Sequence, residues 1–170
     1  RRLFEKLCLE CFQSGLSWLT ILRKREGFRS AFANFEIERV ARFGQPQVRS
    51  LLKDASIVRH RGKIEAAIGN AKAASKMVDE FGSLAAYVWR FEAKPSNRPK
   101  RITRAVLSTM TTSPEAIAMS KDLKKRGFSF VGPTTVYAFM QAMGLVNDHL
   151  DGCLVRPAVE TRRKTFKRPT

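Results

Sequence analysis

Apolar residues recur along this chain at intervals of three and four, and no stretch shows the strict alternation of a half-buried strand. Leu3, Phe4, Leu7, Cys8 and Phe12 fall on one helical face. After Gly15 the spacing resumes with Leu16, Leu19 and Leu22. Ile64, Ala67, Ile68, Ala71, Ala74, Met77 and Phe81 then repeat over about five turns. Ser113-Pro114-Glu115 reads as a cap, an N1 proline and an early acid, and opens a helix that runs through Ile117 and Leu123 to a stop at Gly127. Pro133 presets another first turn, with Val136, Phe139, Met140 and Met143 on its buried side up to Gly144. The pattern predicts an all-α protein, a bundle of short helices with one long one.

Between the last two of these helices lies a tight turn bounded by Gly127 and Gly132 and preceded by Lys124, Lys125 and Arg126. It reads as a helix-hairpin-helix. Backbone N–H groups in such a turn, backed by a helix N-terminus, form a concavity that suits one phosphate. The same residues serve equally for an ordinary αα-hairpin with a solvated basic turn.

Charge changes that balance. A net +17 over 170 residues favours a polyanionic partner through counterion release, and nucleic acid is the leading candidate. No apolar run approaches transmembrane length and the start is not a signal peptide, so a membrane partner is not expected. Three cysteines without a secretion signal suit a reducing, cytoplasmic setting. With 44% apolar content and twelve phenylalanines, residues 1–155 can fill one core as a single domain, with the hairpin at 127–132. Residues 156–170 carry six basic residues against one acid and are expected to be a disordered tail.

Chemistry concentrates near the start. Glu10 sits among apolar and sulfur residues just before a glycine turn and Trp18. A glutamate beside an apolar stripe ordinarily faces water, and a tryptophan ordinarily fills a core. Together with Gln13 and Gly15, however, they supply an acceptor, a π-face and a close backbone approach, which a pocket for an extruded base requires. Arg59 and Lys63 are available for phosphates. His60 lacks the nucleophile or third group that a catalytic base would need, so a backbone or structural role is expected.

These residues carry a resemblance. Leu3-Phe4-Glu5-Lys6-Leu7-Cys8-Leu9-Glu10 with Gln13-Ser14-Gly15-Leu16-Ser17-Trp18, the block from Leu51 to Ala71, the block from Ser120 to His149, and Cys153 together resemble the bacterial DNA-3-methyladenine glycosylase I family over residues 1 to about 155. The resemblance implies a helix-hairpin-helix DNA glycosylase-like bundle that acts on double-stranded DNA as a monomer and extrudes the alkylated base. It assigns Glu10 as the catalytic and base-binding carboxylate and Trp18 as the base-stacking partner. It places Gly15 and Leu16 at the gap left by the flipped nucleotide. Gln13 beside them and, from the charge and hairpin reading, Arg59, Lys63, Lys125, Gly127, Phe128, Gly132 and Thr134 are expected to contact the DNA. The lesion is already cationic, so its glycosidic bond is weakened and the base leaves neutral. No lysine suggests itself as a Schiff-base nucleophile, which implies a monofunctional hydrolase without strand cleavage. Asp148 occupies the place of the acid used in the wider superfamily, but a cap or structural hydrogen bond is the expected role for it.

His149 and Cys153 have the spacing of half a structural zinc site. The resembled family completes it from a segment ahead of the Leu3-Phe4-Glu5 block that also supplies pocket aromatics. This sequence begins at Arg1 without that segment, which reads as a fragment or a departure from the family, with lower stability expected. Cys8 and Cys11 are expected to be a buried thiol and a neutral replacement, not substitute ligands. Cys11 and Ser14 stand where the family usually has glycine and alanine. Two other readings compete with the enzyme. One is a non-catalytic helix-hairpin-helix module that holds DNA. The other is a helix-turn-helix regulator, disfavoured because Pro133-Thr134-Thr135-Val136-Tyr137 lacks base-reading side chains.

Overall fold

The computed structural model describes residues 1–170 and is built from eleven α-helices with no strand. They are α1 (Arg2–Gln13), α2 (Trp18–Arg23), α3 (Arg25–Ala31), α4 (Ile37–Ala41), α5 (Gln45–Leu51), α6 (Arg61–Phe81), α7 (Leu84–Trp89), α8 (Arg104–Thr109), α9 (Pro114–Lys125), α10 (Pro133–Met143) and α11 (Arg156–Thr165). The long helix expected from the alanine-rich repeat is α6, and it packs against α1, α4, α5 and α7. His60 caps it, its imidazole accepting from the Lys63 N–H at 3.2 Å, which gives that histidine its structural role.

One cluster forms the core. At its centre Phe12 lies 4.5 Å from Phe28 between ring centroids, and Phe32 stacks on Phe35 at 5.7 Å. Aromatic rings of this size dominate the area removed from water. Ala67, Ala71 and Ala74 are buried along α6 and let neighbouring helices approach closely. At the edge, the buried Glu5 carboxylate accepts from Arg25 Nε and Arg29 Nε, both at 2.9 Å, and ties α1 to α3. Burial pushes Glu5 up, but the hydrogen bonds from Arg29 and Arg25 outweigh it and hold the carboxyl below the usual range.

Two expectations fail. Leu19 and Leu22 were expected to extend the apolar face, yet they are 56% and 55% exposed and Leu16 is 37% exposed. Helix α2 has only six residues, capped by the Ser17 hydroxyl, and turns only Ile21 into the core. Ile117 is likewise about half exposed, because α9 buries Ala116, Met119, Ser120 and Leu123 instead. In the second case, residues 156–170 do not run on as an unstructured tail. Arg156–Thr165 is helical, and salt bridges from Arg163 and Arg168 to Glu92, with Phe166 packed 4.7 Å from Trp89, fix the segment to the body. Three of its six basic residues find an acid outside the segment, at Glu92 and Asp151, which composition within the segment does not reveal.

Candidate active site

Helix α1 carries the carboxylate inward. Its apolar face holds Phe4, Leu7, Cys8, Cys11 and Phe12, and the same rotation buries Glu10, which retains only 1% of its accessible surface. The end of the helix is stabilised from outside, since Lys63 Nζ donates to the carbonyls of Phe12 at 2.9 Å and Ser14 at 2.5 Å. The chain then turns through Gly15 at φ +78°, and Gln13 Nε2 donates to the Leu16 carbonyl at 2.6 Å to hold the turn. That turn returns Trp18, at the start of α2, to the side of α1 that bears Glu10.

Glu10 is not alone there. Lys6, one turn earlier, brings its ammonium 2.8 Å from Glu10 Oε1 and 3.9 Å from the centroid of the Trp18 ring. Glu10 Oε2 is buried without any hydrogen-bond partner. Burial raises the Glu10 carboxyl above its usual range, and the hydrogen bond and charge of Lys6 oppose the rise.

All three side chains line one cavity of about 760 Å³. Trp89, Leu107, Ala138, Met143 and Val146 give it an apolar lining, and Gln141, Asp148 and His149 add polar groups. Residues of α11 and beyond close one side, namely Val159, Arg162, Arg163 and Phe166. The volume exceeds that of one purine, and with the mixed lining it leaves room for an extruded nucleotide whose base is held by few polar contacts. Asp148 faces the cavity but is fully engaged. It pairs with Arg98, accepts from Tyr137 Oη at 2.6 Å and accepts from Gln141 Nε2 at 2.9 Å. Its role is the expected structural hydrogen bonding, through side chains and not as a cap.

The hairpin turn sits between α9 and α10 and is pinned from below. Asn70, fully buried in α6, donates to the Ser129 carbonyl at 3.1 Å and accepts from the Ser129 N–H at 2.8 Å. Ser120 Oγ donates to the Val131 carbonyl at 2.7 Å. Gly127 adopts φ +93° and is exposed, as the turn requires. Gly132 does not use its freedom, because it caps α10 at φ −61° and the second left-handed position is taken by Phe130 at φ +57°. Lys124, Lys125, Thr134 and, on the α6 approach, Arg59 are exposed and carry no ion pair within the chain.

Three sequence assignments along the DNA-facing set need correction. Lys63 is buried with its ammonium committed to two carbonyls, so it organises α1 and is not free for phosphate. Phe128 is 3% exposed and belongs to the core. Arg126, which reinforced the phosphate reading of the turn, turns back to Glu80 and Asp122. Lys6, Asn70 and the α11 wall went unnoticed in the sequence. A lysine four residues before Glu10 on one face was the available signal for the first, and a lone asparagine in an alanine-rich helix for the second.

For metal binding, His149 Nδ1 and Cys153 Sγ lie 3.6 Å apart, so the two halves of the spacing do converge. No third His, Cys, Asp or Glu joins them, and Cys8 and Cys11 are buried in α1. Two donors fall short of the four that a structural zinc ion takes.

The chain matches the methyladenine glycosylase family model over residues 1–156. It is 48% identical to DNA-3-methyladenine glycosylase 1 of Escherichia coli strain K12 over 159 residues, covering 92% of this chain and 83% of that protein. It is 43% identical to the DNA-3-methyladenine glycosylase of Haemophilus influenzae over 154 residues, covering 90% and 82%. The solved structure of 3-methyladenine DNA glycosylase I from Staphylococcus aureus, which describes 3-methyladenine recognition, superposes with a TM-score of 0.84 at 37% identity over 92% of this chain and 82% of that one. Nearly all of α11 lies past the family match.

Proposed function

The chain belongs to the methyladenine glycosylase family and excises 3-methyladenine from alkylated DNA, and from that premise we propose that Glu10 and Trp18 form the recognition site for the extruded base. The observation that carries this is the buried Glu10 carboxylate, with Oε2 unpartnered, beside an indole face in a cavity large enough to admit an extruded nucleotide. A buried acceptor without a partner costs free energy that a ligand donor recovers on binding.

The mechanism follows from the charge of the lesion. Alkylation at N3 makes the base cationic, so cleavage of the N-glycosidic bond discharges it and needs no general acid. Glu10 in a low-dielectric cavity favours the cation over neutral adenine and accepts hydrogen bonds from its amino edge. Trp18 stacks on the ring. Water adds to the oxocarbenium-like sugar, and Lys6, the lysine that lines the cavity, is an ammonium paired with Glu10 and not a free amine nucleophile that would divert the reaction into strand cleavage. Leu16, more than a third exposed next to the left-handed Gly15, fits the gap left in the stack. Arg59, Lys125 and Thr134 with the Gly127 turn are available to hold the backbone. Zinc enters only as a half-site at His149 and Cys153 that requires further ligands from outside the residues present, and no step depends on it.

The test is release of free bases from methylated duplex DNA. The chain is expected to release 3-methyladenine and not 7-methylguanine. Glu10→Gln keeps duplex affinity and lowers excision on the order of 10²-fold or more, the scale set by one preorganised electrostatic contact. Unchanged excision in that variant would remove Glu10 from the mechanism.

A further inference from the structure

Glu10 and Trp18, the two groups that would hold a cationic base, already hold a cation. The Lys6 ammonium lies 2.8 Å from Glu10 Oε1 and 3.9 Å from the Trp18 ring centroid, inside the same cavity. An ammonium against a carboxylate and an aromatic face makes the same two interactions, ionic and cation–π, that an alkylated adenine would make there. Oε2 remains open to a donor from the base, but the position between Oε1 and the indole face holds either the ammonium or the cationic ring, not both. No other cation pairs with Glu10, and the Lys6 side chain is 24% exposed, so a route from the site to water is open to it.

We propose that Lys6 is a specificity-determining resident cation: it fills the cation subsite of the empty pocket and is exchanged, charge for charge, when the alkylated base enters. The idea rests on the base-binding reading of Glu10 and Trp18. A neutral base that displaced Lys6 would leave a buried carboxylate without a counter-charge, at a cost it cannot repay. A cationic base restores the pair. The lysine thus keeps Glu10 ionised between turnovers and sets a threshold that only a charged ligand crosses.

The probe is 3,9-dimethyladeninium, a cation at neutral pH that carries a methyl group in place of the sugar and no phosphate. Its binding to wild type, Lys6→Met and Lys6→Arg is measured by calorimetry at pH 8, with steady-state excision from methylated duplex alongside. Lys6→Met removes the competitor, so the probe should bind several-fold tighter and KM for 3-methyladenine release should fall by more than kcat moves. Lys6→Arg retains the competitor and should keep wild-type affinity. Unchanged or weaker probe binding in Lys6→Met overturns the proposal. Lys6→Gln provides a second neutral variant should the methionine disturb folding, which a thermal melt reports. A wild-type chain that released no 3-methyladenine would overturn the functional reading itself, whereas release by wild type with no tightening in the neutral variants overturns only the role of Lys6.

Discussion

At the scale of single residues, Glu10 and Glu5 show one helix driving two carboxyls in opposite directions. Glu10 is raised by burial against partial compensation from Lys6, while Glu5 is held low by two guanidinium partners that outweigh its burial. The raised group binds its proton more tightly folded than unfolded. Ionising it therefore costs stability as pH rises through its folded value, and the lowered Glu5 contributes stability that is lost as pH falls. Recognition of a cation needs Glu10 ionised. Excision should accordingly fall at acid pH with a midpoint above the ordinary glutamate value of about 4.3, and a pH–rate profile checks this. Gly27 offers a stability test away from the site. A Cβ there would sit 2.5 Å from the Ser56 carbonyl oxygen, so Gly27→Ala should lower stability by about 1–3 kcal/mol in a denaturant titration. At this scale the sequence was legible where apolar spacing speaks. Glu10 and Trp18 drew attention from their neighbours but took their roles only from the family resemblance, whereas Lys63 could not be recognised as buried, because its anchors are carbonyls 49 and 51 residues away. Ala33, Asn34 and Phe35 all take positive φ without a glycine among them, a conformation that local sequence does not signal.

Among the elements, the hairpin was the most legible and the least correctly furnished. Its helices and its glycine turn follow from caps, prolines and periodicity, which are local signals. Which side chains point outward depends on what lies beneath, and there Phe128 turned inward, Arg126 folded back onto Glu80 and Asp122, and Phe130 was left 40% exposed. The turn keeps its shape through the paired hydrogen bonds of Asn70 to Ser129. Asn70→Ala strips partners from a backbone N–H and a carbonyl at once and should cost about 2–3 kcal/mol. Duplex affinity should weaken with it, measured on unmodified DNA at fixed salt, while binding of a free base is little affected because the cavity lies on other walls. The short α2 teaches the converse. Its leucines obey helical spacing and still face outward, since a six-residue helix has one core-facing position.

For the molecule as a whole, fold class followed from the absence of alternation and the long alanine-rich repeat, and the all-α bundle of the family is what the chain forms. The cavity was far less legible because its walls come from residues as distant as Lys6 and Phe166, brought together only by packing. Helix α11 is the weakest of those walls. None of its residues is buried, and it is held by polar contacts, the ion pairs to Glu92 and Asp151 and the hydrogen bonds from Asn147 to Glu160 and from Arg163 to the Leu145 carbonyl, with the Phe166–Trp89 contact beside them. Its detachment is consequently a local equilibrium with a free energy well below that of global unfolding, and it is sensitive to ionic strength. Amide hydrogen exchange should be fastest in residues 156–165 and slowest in α6. Warming should make excision decline before the helical circular dichroism signal melts, and added salt should widen the gap between the two curves. The upper working temperature of this enzyme should then be set by the polar seam that holds α11, from Glu92 at one end to Asn147 and Asp151 at the other, and not by the phenylalanine core.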